Sequence, residues 1–173
     1  MRACAAALVL WSGVALADPA VTIPDTYRMD GYRASVPDTV PGAVVVGTEE
    51  VRALSASGAL LVDVLPAPRR PEAMRPGAPW LPPTHYGLPG SVWWPEIGRG
   101  ALPDAVETAF RQRLHAAGDR VIVFYCLPNC WLSWNAARRA ASMGARAAWY
   151  PDGLDGWEAA GLPSAPLVPE PFD

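Results

Sequence analysis

The chain has few residues that can carry chemistry. Its 173 residues include two histidines and three cysteines, and charged residues make up only 18% of the sequence. The formal net charge is -3, and no run of basic residues stands out. Surfaces that bind nucleic acid are normally rich in clustered lysine and arginine, so we predict no nucleic-acid partner. The length and a hydrophobic content of 51% fit one globular domain with extensions.

Long hydrophobic runs are missing except at the N-terminus, where Arg2 precedes an apolar stretch over residues 3–14. This stretch is shorter than the ~20 residues that a membrane span needs. Ala15, Leu16 and Ala17 fit the small-residue cleavage site of a secretory signal. We therefore predict a signal peptide over residues 1–17, cleaved before Asp18. The mature protein would then lie in the periplasm without a membrane anchor.

Cysteine is scarce as well. Cys4 lies in the predicted signal peptide, so the mature chain keeps only Cys126 and Cys130. The periplasm favours oxidation of neighbouring thiols. A disulfide that closes so short a loop adds little stability, because the entropic gain grows with loop length. The spacing therefore favours a redox pair or a metal-binding pair over a structural bridge.

The order of secondary-structure signals predicts an α/β fold. Residues 121–125 (VIVFY) give the strongest strand signal, and residues 104–116 give a clear amphipathic helix. Strands that alternate with helices form a mostly parallel central sheet flanked by helices. The proline-rich segment 66–89 shows no regular pattern. The expected organisation is an extended N-terminal arm over residues 18–42, a domain over residues 43–163 and a C-terminal tail without regular structure over residues 164–173.

The predicted site is the turn between a strand and a helix. Cys126 ends the strand 121–125, and parallel α/β sheets bind ligands at the carboxyl ends of their strands. Loop amides and the dipole of the next helix, with Ser133 as its N-cap, are expected to lower the pKa of Cys126 and make it a nucleophile. Cys130 is then the resolving thiol, or both cysteines bind Cu(I). The expected substrate loop comprises Leu127, Pro128, Asn129, Trp131, Leu132 and Ser133.

Several other residues are expected to be structural. Asp63 lies in a buried strand, where a carboxylate needs a partner such as the backbone amides of a neighbouring loop. Trp157 is expected to pack in the core, and His115 to lie on the surface of a helix. His85 lies in the proline-rich segment, and contact with the site is the less favoured alternative for it. Trp131 lies in the thiol loop, where it can shield the thiols or form a docking surface.

Four segments resemble the rhodanese family, in the family's order. Residues 61–64 (LVDV) resemble its hydrophobic-Asp-hydrophobic strand, and residues 85–91 (HYGLPGS) resemble its GHIPGA turn. Residues 123–126 (VFYC) resemble the strand that carries the catalytic cysteine. Residues 153–163 (GLDGWEAAGLP) resemble the closing element with its glycines, tryptophan and proline, which is the most specific match. The resemblance implies a rhodanese-like fold and sulfurtransferase-type chemistry at Cys126.

A closer resemblance is to a bacterial subgroup, the PQQ-dependent catabolism-associated CXXCW motif proteins. Residues 126–139 (CLPNCWLSWNAARR) carry it, together with residues 27–33, 63–66 and 89–93. The resemblance implies redox-active cysteines and a role beside a periplasmic quinoprotein dehydrogenase system for alcohols, or its cytochrome. We predict no bound cofactor in the chain itself.

The thiol loop departs from rhodaneses in one respect. Rhodaneses place an arginine shortly after the catalytic cysteine to hold the anionic substrate, but here the corresponding positions are Trp131 and Leu132. Thiosulfate turnover is therefore less favoured than resolution of a modified Cys126 by Cys130. Two alternatives stay open. One is a non-catalytic Cu(I)-binding or redox-partner module that uses both cysteines, and the other is a structural adaptor that docks through Trp131.

Overall fold

The computed structural model describes residues 21–170 and residue 172, so the predicted signal peptide lies outside the described residues. The strands are β1 (Val44–Val45), β2 (Leu60–Asp63), β3 (His85–Gly87), β4 (Val92–Trp93), β5 (Ile122–Tyr125), β6 (Ala147–Tyr150) and β7 (Ala165–Leu167). The helices are α1 (Thr48–Ala56), α2 (Asp104–Ala117), α3 (Trp131–Ser142) and α4 (Gly153–Ala159). Within this part of the chain, no helix has the length and apolar character needed to cross a bilayer.

Five strands form a parallel sheet in the order β1-β6-β5-β2-β4. The α/β fold with a mostly parallel central sheet flanked by helices, which the sequence predicts, is confirmed. The strongest strand signal belongs to β5, and this strand lies at the centre of the sheet with all four residues buried. A parallel strand with both faces covered needs a continuous apolar run, which explains why the signal is strongest there.

The two faces of the sheet carry separate parts of the core. Phe124 of β5 packs with residues of α2 and α3, whereas Val123 and Tyr125 pack with residues of α1 and α4. This alternation follows from the two-residue period of a strand. Cys126 continues the alternation beyond β5 and belongs to the α2 and α3 side of the core.

Two segments that the sequence predicts to be irregular form a second, antiparallel ribbon. β3 lies in the proline-rich segment and β7 in the C-terminal tail, and the two strands pair with each other. The tail continues along β4, where the Glu170 N–H donates to the Trp93 carbonyl at 2.8 Å. The expectation of a tail without regular structure is therefore wrong. Strands of three residues are too short to give a periodic signal, and β7 in addition contains Pro166.

Candidate functional site

Cys126 and Cys130 lie at the two ends of the turn between β5 and α3. Cys126 directly follows β5, and Cys130 is the N-cap of α3. Asn129 turns the chain between them with a φ of 55°, in the left-handed region that asparagine tolerates better than most residues. Both cysteines are free thiols, and their side chains are hydrogen-bonded to each other. The structure thus brings the two predicted site cysteines into contact.

The helix after the turn begins earlier than the sequence predicts. Ser133 is not its N-cap, because α3 begins at Trp131 and Cys130 occupies the cap position. The Ser133 hydroxyl instead donates to the Cys130 carbonyl at 3.1 Å and accepts a hydrogen bond from the Trp149 indole at 3.0 Å. Trp131, Leu132 and Ser133 are therefore helical, and the irregular loop is reduced to Leu127, Pro128 and Asn129.

Cys130 is the more acidic of the two thiols. The hydrogen bond from Cys126 stabilises its thiolate most strongly, while burial acts in the opposite direction. Cys130 makes no conventional capping hydrogen bond through its side chain, but the amides of Leu132 and Ser133 lie close enough to favour negative charge on its sulfur. Together these contacts lower the pKa of Cys130 to about 7.

Cys126 is held in the protonated form. Its hydrogen bond to Cys130, its burial and the nearby charge of Asp63 all raise the pKa of the Cys126 thiol. The sequence places the lowered pKa on Cys126, whereas the observed start of α3 favours Cys130. The physical reason is that the positive end of a helix acts on its first turn, and Cys130, rather than Cys126, occupies the N-cap of α3.

The N-terminal arm covers the thiol turn. The Trp131 N–H donates to the Tyr32 carbonyl at 2.9 Å, and the Ala34 N–H donates to the Asn129 carbonyl at 3.1 Å. The Trp131 indole donates to the Ser35 carbonyl at 3.0 Å, and only 3% of the residue is exposed. The suggestion that Trp131 forms a docking surface is therefore wrong. Trp131 is instead buried beneath the arm, next to Cys130 in the chain.

The arginines of α3 do not replace the arginine that the loop lacks. Arg139 is buried and donates to the carbonyl groups of Ile97, Arg99 and Gly100. Arg138 donates to the carbonyl groups of Pro24, Asp25 and Thr26 in the arm. Both guanidinium groups hold neighbouring segments onto α3. Negative charge at the thiols is consequently balanced by backbone amides rather than by an arginine.

A buried carboxylate lies at the same edge of the sheet. Asp63 ends β2 opposite Tyr125 in β5, and it is 1% exposed. Its Oδ1 accepts a hydrogen bond from the Leu65 N–H at 2.8 Å, which is a backbone partner of the kind that the sequence predicts. Its Oδ2 accepts a second from the His85 imidazole at 2.7 Å. His85 is the site residue that sequence reasoning undervalued, because only the pairing of β3 with β7 places it there.

Trp157 lies in the α1 and α4 side of the core, away from the thiols. Its indole donates to the Pro163 carbonyl at 2.8 Å, and 7% of the residue is exposed. The hydrogen bond ties the end of α4 to the chain that leads into β7. Trp157 therefore contributes to packing in the other part of the core from Cys126 and Cys130.

Gly153 supports the backbone of Cys126 from the start of α4. The N–H of the next residue, Leu154, donates to the Cys126 carbonyl at 2.9 Å, and Gly153 has a φ of 55°. A Cβ at this position would collide with the Cys126 carbonyl. We expect Gly153→Ala to lower the free energy of unfolding by about 2–3 kcal/mol. Alanine disfavours the positive φ of this position, and its Cβ would also clash with the Cys126 carbonyl. Denaturant unfolding measures this loss.

Gly161→Ala is the matched control for that substitution. Gly161 also has a positive φ, of 73°, but a Cβ there would meet open space. We expect Gly161→Ala to lower the free energy of unfolding by only about 1 kcal/mol, which is the cost of placing alanine at a positive φ without a clash. Equal losses in the two variants would show that Gly153 exerts no specific constraint on Cys126.

The geometry defines a site of two buried thiols with unequal acidity, flanked by a buried carboxylate and a partly exposed histidine. Among the described residues there is no group of three or more His, Cys, Asp and Glu side chains that could hold a metal ion. No protein-family model matches the chain, and no curated protein is significantly similar to it.

Proposed function

We propose that this protein is a rhodanese-like thiol protein of the periplasm that exchanges electrons or sulfur through its Cys126–Cys130 pair. The observation that carries the proposal is the hydrogen-bonded contact between a buried thiol and a second, acidic thiol at a helix N-terminus. Thiol–disulfide exchange requires a thiolate that attacks and a second thiol that resolves the product. Cys130 meets the first requirement, and Cys126 meets the second.

The exchange proceeds in two steps. The Cys130 thiolate attacks one sulfur of an incoming disulfide, whose S–S bond breaks, so that one thiolate leaves and Cys130 carries a mixed disulfide. Cys126 then attacks the Cys130 sulfur and displaces the second thiolate, which closes a Cys126–Cys130 disulfide. Two electrons thereby pass from the pair to the incoming disulfide. With a sulfane-sulfur donor, Cys130 would carry a persulfide, and closure by Cys126 would release hydrosulfide.

The order of the two cysteines in this proposal reverses the order that the sequence suggests. The lowered pKa of Cys130 and the raised pKa of Cys126 support the reversal. The absence of an arginine at positions 131 and 132 argues against thiosulfate as the substrate, as does the use of Arg138 and Arg139 to bind backbone carbonyls.

The biological setting in the proposal derives from the resemblance described above. The likeness of residues 126–139 to the PQQ-associated subgroup supports a partner in a periplasmic quinoprotein dehydrogenase system or in its cytochrome. The parallel α/β sheet with a thiol at the end of its central strand is compatible with a rhodanese-like protein. The apolar N-terminus with its small-residue cleavage site supports export.

Dithiodipyridine tests the chemistry directly. This aromatic disulfide releases a coloured thiopyridone each time it is attacked or displaced. We expect the reduced protein to release two equivalents in two kinetic phases and to end as an intramolecular disulfide, seen by mass spectrometry as a loss of two hydrogens. A protein that ends with two separate thiopyridine adducts, or that does not react while folded, would rule out the dithiol mechanism.

Isolation from cells tests the proposed location in the periplasm and the redox state of the two cysteines. We expect the full chain, expressed with its N-terminus in a bacterium that has a periplasm, to be recovered from the periplasm with Asp18 as its first residue. Alkylation during lysis should trap the pair as a disulfide or a persulfide, and the mass distinguishes the two. Recovery from the cytoplasm at full length, with both thiols alkylated, would contradict the proposal.

Cu(I) binding is a second candidate because the two sulfurs lie side by side. Cu(I) prefers thiolates and can be held by two of them. Titration of the reduced protein in competition with a Cu(I) chelator measures the affinity. Stoichiometric binding that disappears in the Cys126→Ser, Cys130→Ser double variant would support this role, and binding that survives in the double variant would exclude it.

A further inference from the structure

An arginine of the N-terminal arm lies directly opposite Cys130. Arg33 and Cys130 form an antiparallel bridge between the arm and the thiol turn. The two backbone hydrogen bonds between the arm and the turn, at 2.9 and 3.1 Å, join the residues on either side of this pair. Arg33 and Cys130 are therefore a non-hydrogen-bonded pair, which is the type of antiparallel pair whose opposite side chains lie closest.

The side chain of Arg33 projects outwards from the arm. Tyr32 and Ala34 pack against the core, whereas Arg33 between them is exposed, which is the two-residue alternation of an extended chain. Side chains directly opposite each other in an antiparallel pair project to the same face, with Cβ atoms about 4.5–5.5 Å apart. Cys130 therefore points to the face that carries Arg33. Because Cys130 is 2% exposed, the guanidinium lies further from the core than the Cys130 sulfur.

The charge of Arg33 is not neutralised by another side chain. Among residues 21–170 and 172, its guanidinium takes part in no hydrogen bond and no ion pair. Arg28 on the arm and Arg138 and Arg139 on α3 donate to backbone carbonyl groups instead. A guanidinium carries five N–H donors and can bind a carboxylate through two of them. Arg33 is thus available to bind an anionic group beside Cys130.

The position of this charge restricts the kind of anion that it can bind. The chain as a whole carries a formal net charge of -3, so its overall field does not attract anions to the thiols. A local positive charge on the outer side of the arm has to do so. Because the guanidinium lies further out than the Cys130 sulfur, the anionic group that it binds must be separated from the attacked sulfur. Thiosulfate does not meet this condition, since its sulfonate is bonded directly to the sulfane sulfur.

We propose that the substrate is an acidic disulfide, and that Arg33 binds a carboxylate of this substrate as Cys130 attacks its sulfur. The electron pair of the Cys130 thiolate forms the new S–S bond, the S–S bond of the substrate breaks, and one thiolate leaves. Arg33 holds the carboxylate and takes part in no bond exchange. The proposal names the substrate class for the dithiol chemistry proposed above and rests on that chemistry.

Two coloured disulfides of different charge test this role. The first phase is measured with dithiobis(nitrobenzoate), which carries two carboxylates, and with neutral dithiodipyridine, and the ratio of the two rates is compared between variants. We expect Arg33→Gln to lower this ratio by about fivefold, because one exposed charge pair is lost. Arg33→Lys should retain most of the ratio, and Arg33→Glu should lower it further. Arg146→Gln is the matched control, since Arg146 is exposed and precedes β6, at the opposite end of the sheet from the thiol turn.

The ratio separates substrate binding from an effect on the thiol. If Arg33 only stabilised the Cys130 thiolate, Arg33→Gln would slow both probes equally, and that result overturns the proposal. An unchanged pair of rates overturns it as well. If the variant does not fold, as judged by circular dichroism, the salt dependence of the wild-type ratio decides: it should fall as salt screens the charge, and a constant or rising ratio overturns the proposal. If the wild-type protein does not react with neutral dithiodipyridine, the dithiol mechanism itself fails, which is a distinguishable outcome.

Discussion

Replacing Cys130 by serine should abolish the first thiol–disulfide exchange, whereas replacing Cys126 should leave it largely intact. The thiolate is the attacking species, and Cys130 lies at the N-cap of α3 with a pKa lowered to about 7. Burial and the charge of Asp63 raise the pKa of Cys126 in addition to its hydrogen bond to Cys130, so we expect Cys126 to stay protonated in Cys130→Ser. We expect the first phase of thiopyridone release to fall by about 100-fold or more in Cys130→Ser, the ratio that two units of thiol pKa produce.

The pH dependence of the same phase provides an independent check. A thiol with a lowered pKa reacts faster as the pH rises through that pKa and then reaches a plateau. The first phase of the wild-type protein should therefore rise through pH of about 7 and level off above it. Cys126→Ser should keep the same profile with its midpoint shifted upwards by less than about one unit, because a serine hydroxyl can still donate to the Cys130 sulfur.

The opposite outcome would restore the order of events that the sequence suggests. If Cys126→Ser lost the first phase and Cys130→Ser kept it, Cys126 would be the attacking thiol and Cys130 the resolving one. The melting temperatures of both variants serve as the control for folding. Serine is close in size to cysteine, so large differences in stability between the two variants are not expected.

Replacing Asn135 by alanine should both destabilise the fold and expose the thiols. Asn135 is fully buried on α3, where its side-chain amide accepts the Arg28 N–H at 3.0 Å and donates to the carbonyls of Arg28 and Gly98 at 2.9 Å. Alanine would leave three backbone groups, one of them buried and two part-buried, without this partner. At about 1 kcal/mol for each, we expect the free energy of unfolding to fall by about 3 kcal/mol. Urea unfolding measures this.

The loss of these hydrogen bonds should also loosen the arm above the thiol turn. Asn135 anchors the arm at Arg28, a short distance along the chain from the Tyr32 and Ala34 backbone groups that bond to the turn. We therefore expect the Cys130 thiolate of Asn135→Ala to be alkylated by iodoacetamide at least about tenfold faster than in wild type, since local opening controls access to a buried group. Gln112→Ala, on the exposed side of α2, is the matched control. Equal alkylation rates would mean that the arm does not limit access.

Much of the architecture was accessible to sequence reasoning because it depends on local patterns. The central strand β5 is a continuous apolar run, and α2 has a clear apolar stripe, so both were predicted close to their observed bounds. The position of Cys126 at the carboxyl end of that strand follows directly from the same pattern. The short strands β3 and β7 were missed because three residues cannot display a period, and because each is stable only when paired with the other.

The sequence by itself determined that the protein has a parallel α/β fold with a pair of cysteines at the end of its central strand. These features depend on the periodicity of apolar residues and on the short spacing between Cys126 and Cys130, both of which are visible in the sequence. Only the tertiary structure decided which cysteine lies at the positive end of a helix, because this depends on where α3 begins. It likewise decided that Trp131 lies beneath the arm and that His85 reaches Asp63. Such contacts join segments far apart in the chain, and no local pattern encodes them.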